Sequence, residues 1–467
     1  MDDHRPLRVA FVFPALVAAA LAAGASPQGA VAAPLRLAAP AFKHPALHGH
    51  RSASGLIQHV VVIVQENRSV DNIFNGFPGA DTQNYGYDSY GRRHTLRQIS
   101  FALECDPLHT HPSFVADFNN GGMNGWNNGT YGCQPGSSLP DGVFAMVNPQ
   151  ETQAYWQVAS NYGLADGVFQ TNEGPSLPAH QYLIAGQSGG HGTDAPWALS
   201  ENGNGSSSHL GPRDDDGSPT KLYCGSAPNQ TVEQIDLDTP YPGYEGNYVA
   251  PCKDYQTIFD LAMAKGLTWK YYVHKVGSLW SGVDVVNHLW QNPAYRAVVP
   301  ETVVLTDIAN HQLANIVYVT PSPANSDHPH SKKESPYDGP NWVASVVNAI
   351  GNDPYYWGNT TIFIVWDDWG GWFDHVPTMH PFSEDPYEWG FRVPLIVVSP
   401  FVNAHMVDHT PRNFDSIIAY IESTYGLGNL GMQDTDTDDL GDMFDYSQSP
   451  LQFVPMSVTG RGTTIRR

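Results

Sequence analysis

Basic residues are scarce in this chain of 467 residues: 23 Lys and Arg stand against 46 Asp and Glu, which gives a formal net charge of −23. This balance argues against nucleic acid as a partner, because duplex binding gains most of its affinity from cationic side chains placed on phosphates. Charged residues of either sign are few, at 15%, whereas aromatic residues reach 12%. Disordered chains show the opposite composition. The sequence therefore predicts a large folded core.

Apolar runs long enough to span a bilayer are also missing. A spanning helix needs about 20 apolar residues, and the run over residues 9 to 23 is shorter and interrupted by a proline. It follows two arginines and precedes small residues with an A-x-A pattern near Ala32, the layout of a secretory signal; a membrane anchor is the alternative. We predict a signal peptide over residues 1 to 33, a flexible leader over residues 34 to 54, and a secreted or periplasmic mature protein without a stable membrane anchor.

Cysteine occurs at only four positions, and no C-x-x-C pair is present. This argues against a thiolate zinc site and against a thioredoxin-like redox role. An even number of cysteines in an exported chain indicates two disulfides, for which three pairings exist. When neighbouring cysteines are paired in chain order, the two pairs span the same number of positions, so we favour Cys105–Cys133 and Cys224–Cys252.

Short apolar runs alternate with helix-like stretches along the chain. Residues 59 to 67 give the strongest strand prediction, because a continuous β-branched run is typical of a parallel strand buried on both faces. Further strands are predicted at residues 163 to 169, 267 to 273, 315 to 320, 361 to 366 and 393 to 399. Helices are predicted at residues 149 to 160, 255 to 265, 341 to 350 and 413 to 425. This alternation predicts an α/β fold with a central, mostly parallel sheet flanked by helices.

The length would allow three domains at about 150 residues each, but α/β enzymes often use this much chain in one unit. We expect a single domain over residues 55 to 467. Residues 201 to 251 are rich in Gly, Ser, Asp and Pro, too polar for a core, and are predicted to be a loop-rich insertion.

Polar residues follow several of the predicted strands. In open α/β sheets, ligands bind beyond the carboxyl ends of the strands, so these side chains are expected to meet at one edge. The residues concerned are Glu66, Asn67, Ser176, His180, His274, Asp327, His328, Asp367 and Asp368.

Two adjacent acids at the end of an apolar strand would be costly to bury without a compensating charge, and a divalent cation supplies one. The oxygen atoms of Glu66, Asn67, Asp367 and Asp368 suit Ca²⁺, Mg²⁺ or Mn²⁺, and carboxylates also bind Zn²⁺. A metal beside Ser176 would stabilise its alkoxide and make it a nucleophile. The simpler alternatives are that the acids cap helices or lie in surface turns, and that Ser176 caps a helix.

In the segments that carry these residues, the sequence resembles the bacterial phosphoesterase family that includes phospholipases C and an acid phosphatase branch, within the alkaline phosphatase-like superfamily. The segments run in one order from about residue 56 to 452 and are HVVVIVQENRSVDNIF (59 to 74), HTHPSFVADFNNGGMNGW (109 to 126), EGPSLPAHQYLIAGQSGG (173 to 190), SDHPHSKKESPYDGPNWV (326 to 343), TIFIVWDDWGGWFDHVP (361 to 377) and DMFDYSQSP (442 to 450). The resemblance implies an alkaline phosphatase-like α/β sandwich.

The resemblance also implies roles for individual residues. Ser176 is implied as the nucleophile and as a metal ligand. The remaining implied ligands are Glu66, Asn67, Asp367 and Asp368. The side chains implied to line the phosphate pocket, and to stabilise developing charge or protonate the leaving oxygen, are those of His109, His274 and His328. The histidines placed around the site are His111, His330 and His375.

Three functions follow from this reading. The favoured one is a secreted, metal-dependent phosphoric ester hydrolase of the acid phosphatase type that forms a phosphoseryl intermediate, because relatives resembling phospholipases C tend to carry threonine where this chain has Ser176. The second is a phospholipase C, in which Trp and Tyr would hold a choline head group by cation–π contact. The third is a non-enzymatic, metal-stabilised extracellular binding module. The expected partner is a phosphate ester or phospholipid substrate, and no protein partner is predicted.

Overall fold

A run of β-branched residues without polar interruption forms the central strand of the fold, β1 (His59–Gln65), and every residue in it is buried. It pairs in parallel with Ile316–Val319 on one side and with Thr360–Trp366 on the other. A strand that is covered on both faces and paired on both edges needs apolar side chains in both directions. This explains why the sequence here is continuous rather than alternating.

Seven more strands complete the sheet in the computed structural model. They are β2 (Gly163–Ala165), β3 (Trp269–Val273), β4 (Val298–Pro300), β5 (Ile316–Val319), β6 (Thr360–Trp366), β7 (Leu395–Val398) and β8 (Met406–Asp408). Their order across the sheet is β4-β3-β5-β1-β6-β7-β2-β8. Only β7 runs antiparallel to its neighbours, β6 and β2; the other pairs are parallel. The predicted mostly parallel sheet is confirmed, and all six predicted strands belong to it.

Nine helices are present among the described residues: α1 (Val70–Ile73), α2 (His111–Phe118), α3 (Pro149–Asn161), α4 (Ser176–Ala185), α5 (Ile258–Ala264), α6 (Asn287–Gln291), α7 (Val303–Ala309), α8 (Asp338–Gly351) and α9 (Asp415–Tyr425). Four of them, α3, α5, α8 and α9, lie where helices were predicted. In α8 the buried residues Val343, Val346, Val347 and Ile350 recur at helical spacing. They join the same hydrophobic core as the strands, which confirms the α/β class.

Short strands outside the sheet build the loops around it. Three two-stranded pairs join Tyr85–Tyr87 with Arg93–Thr95, Arg97–Ile99 with Ala145–Val147, and Cys105–Pro107 with Tyr131–Cys133. A three-stranded antiparallel sheet is formed by Trp197–Ser200, Val232–Asp236 and Asn247–Val249. Both favoured disulfides are present, Cys105–Cys133 and Cys224–Cys252, so this pairing is confirmed.

The structure describes residues 53, 55–129, 131–189, 197–200, 222–228, 230–236, 247–329, 333–379, 389–432 and 437–458. All of them fall in one compact unit, residues 42–467. The predicted signal peptide and, apart from Ala53, the predicted leader lie outside the described residues, as does much of the predicted insertion. The domain division therefore stays a prediction. In the described part of the chain, no helix combines the length and the apolar character that crossing a membrane would require.

Candidate active site

Two acid-bearing loops leave the sheet side by side. Glu66 and Asn67 follow β1, and Asp367 and Asp368 follow β6; all four are fully buried. The two strands are parallel neighbours with Gln65 opposite Trp366, so their carboxyl ends coincide. The Asn67 backbone N–H donates to Asp367 Oδ1 at 2.9 Å. Residues 300 positions apart in sequence are thus joined directly.

The backbone of both loops needs particular residues. Asn67 has φ 61°, in the left-handed region that asparagine tolerates better than most residues. Gly370 has φ 66°, and a Cβ there would lie 2.2 Å from the Asn67 carbonyl oxygen. The Gly370 N–H donates to Asp368 Oδ1 at 2.7 Å. Only glycine permits this close approach of the two loops.

The hydroxyl of Ser176 lies against this acid cluster. Ser176 is the first residue of α4 and is only 2% exposed. Its Oγ donates to Asp368 Oδ2 at 3.1 Å and lies 3.5 Å from Asn67 Nδ2. Metal–ligand bonds are about 2.0–2.6 Å long, so Ser176 Oγ and Asp368 Oδ2 lie within reach of one ion. We call Asn67, Ser176 and Asp368 the serine group.

One turn further along α4, His180 contacts the other two acids. Its Nε2 lies 3.0 Å from Glu66 Oε1 and 3.7 Å from Asp367 Oδ2. One ligand atom from each of these three residues lies within 4.8 Å of the others. Burial lowers the pKa of His180 to about 4, so the imidazole is neutral at pH 7. We call Glu66, Asp367 and His180 the histidine group.

His180 was noted in the sequence at a strand end but was not among the predicted ligands. The signal that identifies it is its spacing of four from Ser176, which places both side chains on one face of a helix. The spacing points to a shared face only because the helix begins at Ser176 and so includes both residues.

The residues present fit a divalent cation. Three buried carboxylates meet here, and burying that charge is costly unless a cation compensates for it. Asp367 Oδ2 and Asn67 Oδ1 have no hydrogen-bond partner among the described residues. The Asn67 amide turns its nitrogen toward Ser176 and Asp368. Because only the amide oxygen can bind a metal, Asn67 would need a half-turn of its amide to become a ligand. Metal binding by the predicted residues stays a prediction.

Two of the three predicted pocket histidines lie together beside the serine group. His109 Nδ1 donates to the Pro107 carbonyl at 2.8 Å, which leaves Nε2 as the acceptor for Asn67 Nδ2 at 2.9 Å. The ring centroids of His109 and His328 are 6.0 Å apart. Desolvation lowers the pKa of His328 to about 4. Their catalytic roles stay predictions.

The third predicted pocket histidine, His274, follows β3, two strands away from β1. Its Nδ1 lies 3.6 Å from Glu301 Oε1, and its side chain is 36% exposed. In the sheet, β5 lies between β3 and β1. The role of His274 also stays a prediction.

The remaining singled-out residues surround the site. Asp327 Oδ2 accepts from Tyr155 Oη at 2.8 Å and from Trp366 Nε1 at 3.1 Å, and burial raises the pKa of this carboxyl. His111 Nδ1 donates to the Glu173 carbonyl at 2.8 Å. His375 Nδ1 lies 2.7 Å from Asp71 Oδ2. The third histidine assigned to the surroundings, His330, lies outside the described residues.

Gln170 links the loop that precedes Ser176 to the loop that follows β6, and was not identified from the sequence. Its Oε1 accepts from the Trp369 backbone N–H at 3.1 Å, and its Nε2 donates to the Gly174 carbonyl at 2.7 Å. The side chain is fully buried. Trp369 follows Asp368 directly, and Gly174 lies two residues before Ser176. Gln170 therefore helps to fix the distance between Asp368 and Ser176.

Comparison with known proteins gives one family match and several distant relatives. The model of the Phosphoesterase family matches residues 57–428. A non-hemolytic phospholipase C of Pseudomonas aeruginosa is 22% identical over 456 residues, 82% of this chain and 56% of that protein. Non-specific phospholipase C1 of Arabidopsis thaliana is 22% identical, over 77% of this chain and 63% of its own. Phospholipase C B of Mycobacterium tuberculosis is 22% identical, over 85% of this chain and 80% of its own.

The chain spans about half the length of the first two curated relatives it matches. Among solved structures, a protein in the alkaline phosphatase superfamily from Vibrio parahaemolyticus aligns with 82% of this chain and 71% of its own, at 10% identity and a TM-score of 0.32.

Proposed function

The chain belongs to the phosphoesterase family, and from that premise we propose that it hydrolyses phosphoric esters with the Ser176 hydroxyl as the nucleophile. The family resemblance found in the sequence is thereby confirmed, whereas the activity and the nucleophile are our proposal. One observation carries it: Ser176 Oγ, at the start of a buried helix, lies 3.1 Å from Asp368 Oδ2 in a cluster of buried carboxylates.

The first half-reaction joins Ser176 Oγ to phosphorus. The hydroxyl proton points at Asp368 Oδ2, so this carboxylate is placed to accept the proton as the Oγ–P bond forms and the bond between phosphorus and the leaving oxygen breaks. The N–H groups at the beginning of a helix lack helical acceptors and favour negative charge. Ser176 occupies this position in α4. The helix terminus therefore supports both the alkoxide and the resulting phosphoserine.

A divalent cation would be held by Glu66, Asn67, Ser176, Asp367 and Asp368, and would supply neutralisation of the charge on the alkoxide and the phosphoryl oxygens. Its identity is open among Ca²⁺, Mg²⁺, Mn²⁺ and Zn²⁺.

The leaving oxygen needs a proton. His109 contacts Asn67, which lies beside Ser176, and the His328 ring lies 6.0 Å from the His109 ring. Because the pKa of His328 is lowered to about 4, its imidazole carries a proton mainly in acid solution. Protonation of the leaving oxygen by this residue would give an acid optimum. In the second half-reaction water attacks phosphorus and gives a proton back to the histidine, the Oγ–P bond breaks to release phosphate, and Ser176 Oγ takes back the proton held by Asp368.

The test is to replace the two residues that carry the proposal. Ser176→Ala and Asp368→Asn should each abolish hydrolysis of a generic aryl phosphate, while circular dichroism shows an intact fold. Ser399→Ala is the matched control, because Ser399 is also fully buried but lies far from the site. It follows the antiparallel strand β7 and so lies at the amino-terminal ends of the parallel strands. Turnover like that of the wild type in Ser176→Ala would contradict the mechanism.

Two substrate classes remain in competition. Serine at position 176 supports a phosphatase that acts on soluble monoesters. The relatives named phospholipases C support a lipid substrate. Measuring diacylglycerol release from phosphatidylcholine beside phosphate release from a soluble monoester separates the two, with Ser176→Ala as the blank in both assays. A stronger phosphatidylcholine reaction would favour the phospholipase.

The non-enzymatic alternative predicts a fall in melting temperature on chelation but no hydrolysis of any phosphoester between about pH 4 and 9.

We propose secretion to the cell exterior or periplasm. Two disulfides support this, because such bonds persist in oxidising compartments.

A further inference from the structure

The histidine group contains a nitrogen donor that an all-oxygen metal site would not need. We propose that His180 is a metal ligand, with its Nε2 completing the ion's coordination together with Glu66 and Asp367. This inference rests on the metal dependence in the proposed function and deepens it, because it names a ligand and the class of ion that the site selects.

The distances match those between atoms that share one ion. Two ligand atoms bound at about 2.0–2.2 Å lie about 2.8–3.6 Å apart when the angle at the ion is about 90–110°. His180 Nε2 lies 3.0 Å from Glu66 Oε1 and 3.7 Å from Asp367 Oδ2. The imidazole nitrogen thus lies within, or about 0.1 Å beyond, this range from each carboxylate, and the three ligand atoms all lie within 4.8 Å of one another.

A second observation points to a ligand at the same place. Asp367 Oδ2 is fully buried and has no hydrogen-bond partner among the residues that the structure describes. At 3.7 Å, His180 Nε2 is too far away to donate to it. A buried carboxylate oxygen left in this state is costly, and a bound cation would remove that cost.

Helix α4 places His180 rigidly. Every residue of this helix is buried. Gly282 packs so closely on it that a Cβ there would lie 2.3 Å from the His180 carbonyl oxygen. The spacing of four residues from Ser176 directs both side chains to the strand ends. A shift of the nucleophile would therefore also shift the proposed ligand.

The donor set has a consequence for metal choice. Sites made only of oxygen ligands suit Ca²⁺ and Mg²⁺, whereas an imidazole favours Zn²⁺ and related transition metals. The site is then expected to bind Zn²⁺ in preference to Ca²⁺.

The experiment uses Mn²⁺ as a paramagnetic probe in the full protein labelled with ¹⁵N-histidine. Electron–nuclear double resonance should show a ¹⁵N coupling in the wild type that disappears in His180→Gln and persists in His59→Gln and His109→Gln. His59 is a matched control, because it is buried, bonded through Nδ1 to the Ala314 carbonyl, and located at the opposite end of β1. Mn²⁺ affinity should fall at least about 10-fold in His180→Gln alone.

The possible failures are distinguishable. If the wild type binds no divalent ion, the proposed metal dependence fails. If Mn²⁺ binds and supports hydrolysis without a histidine coupling, the function stands and the His180 ligand is refuted. A coupling that persists in His180→Gln but is lost in His109→Gln also refutes it. If His180→Gln does not fold, the absence of a ¹⁵N coupling in the wild type, or its loss in His109→Gln, still refutes the His180 ligand.

Discussion

Gly370→Ala tests whether the close contact of the two acid-bearing loops organises the site. A Cβ at this position would lie 2.2 Å from the Asn67 carbonyl oxygen, so the two loops would have to separate by about 1 Å to reach an ordinary contact. Asn67 donates through its backbone N–H to Asp367 and lies beside Ser176. A misplacement of about 1 Å in an active site costs on the order of 100-fold in rate. We expect this loss in kcat/KM.

The stability cost has two parts. An alanine forced into the left-handed region costs about 1–2 kcal/mol, and overpacking adds about 1–3 kcal/mol. Gly266→Ala is the matched control: its φ of 77° is similar to the 66° of Gly370, but its Cβ would meet nothing within 4 Å. The control should show only the first cost and keep its activity.

Urea unfolding followed by tryptophan fluorescence gives the free energies of unfolding, and hydrolysis of an aryl phosphate at a fixed metal concentration gives kcat/KM. The reasoning is refuted if Gly370→Ala is as stable and as active as Gly266→Ala.

Three further outcomes are expected. Gln170→Ala removes the acceptor for the Trp369 N–H and should lower both kcat and the free energy of unfolding, the latter by about 1–3 kcal/mol, as measured by turnover and urea titration; an unchanged kcat would contradict its positioning role. Burial raises the pKa of Asp284 from 3.8 to about 6, so its contribution to stability is full below pH 3.8 and is lost as the pH rises through 6. Between pH 4 and 7 the wild type should therefore lose about 2–3 kcal/mol of stability that Asp284→Asn does not lose, and parallel curves of stability against pH for the two proteins would contradict this. Replacing Cys105 and Cys133 by serine opens a loop of 28-residue separation and should cost about 3–4 kcal/mol in chemical denaturation, and no change would show that the bond is dispensable.

The sheet could be predicted largely because its central strands have a distinctive composition. The continuous apolar runs of β1 and β6 identify them as buried strands. The reversed direction of β7 could not be read from its residues, since Leu395–Val398 is as apolar as its parallel neighbours. Direction depends on the path of the chain between strands. The edge strands β4 and β8 have only three residues each, too few for a recognisable pattern.

The site could be anticipated in part, because polar residues that follow buried strands collect at one edge. That rule selected Glu66 and Asp367 without showing that β1 and β6 are neighbours, which is a property of the folded chain. The role of Gln170 was invisible, because its two partners are backbone groups of separate loops. His180 was placed at a strand end, but nothing in the sequence marked it as a ligand, because its position on one face of α4 with Ser176 depends on where that helix begins.

The left-handed backbone of Asn67 has a practical consequence for mutational scanning. An alanine at this position would delete the amide and also resist the φ of 61°, so its phenotype would combine lost chemistry with a distorted loop. Asn67→Gly preserves the chain path while removing the side chain, and Asn67→Asp keeps an oxygen donor and a residue type that accepts this conformation. Comparing these two replacements, rather than truncating to alanine, separates what the side chain does from what the loop does.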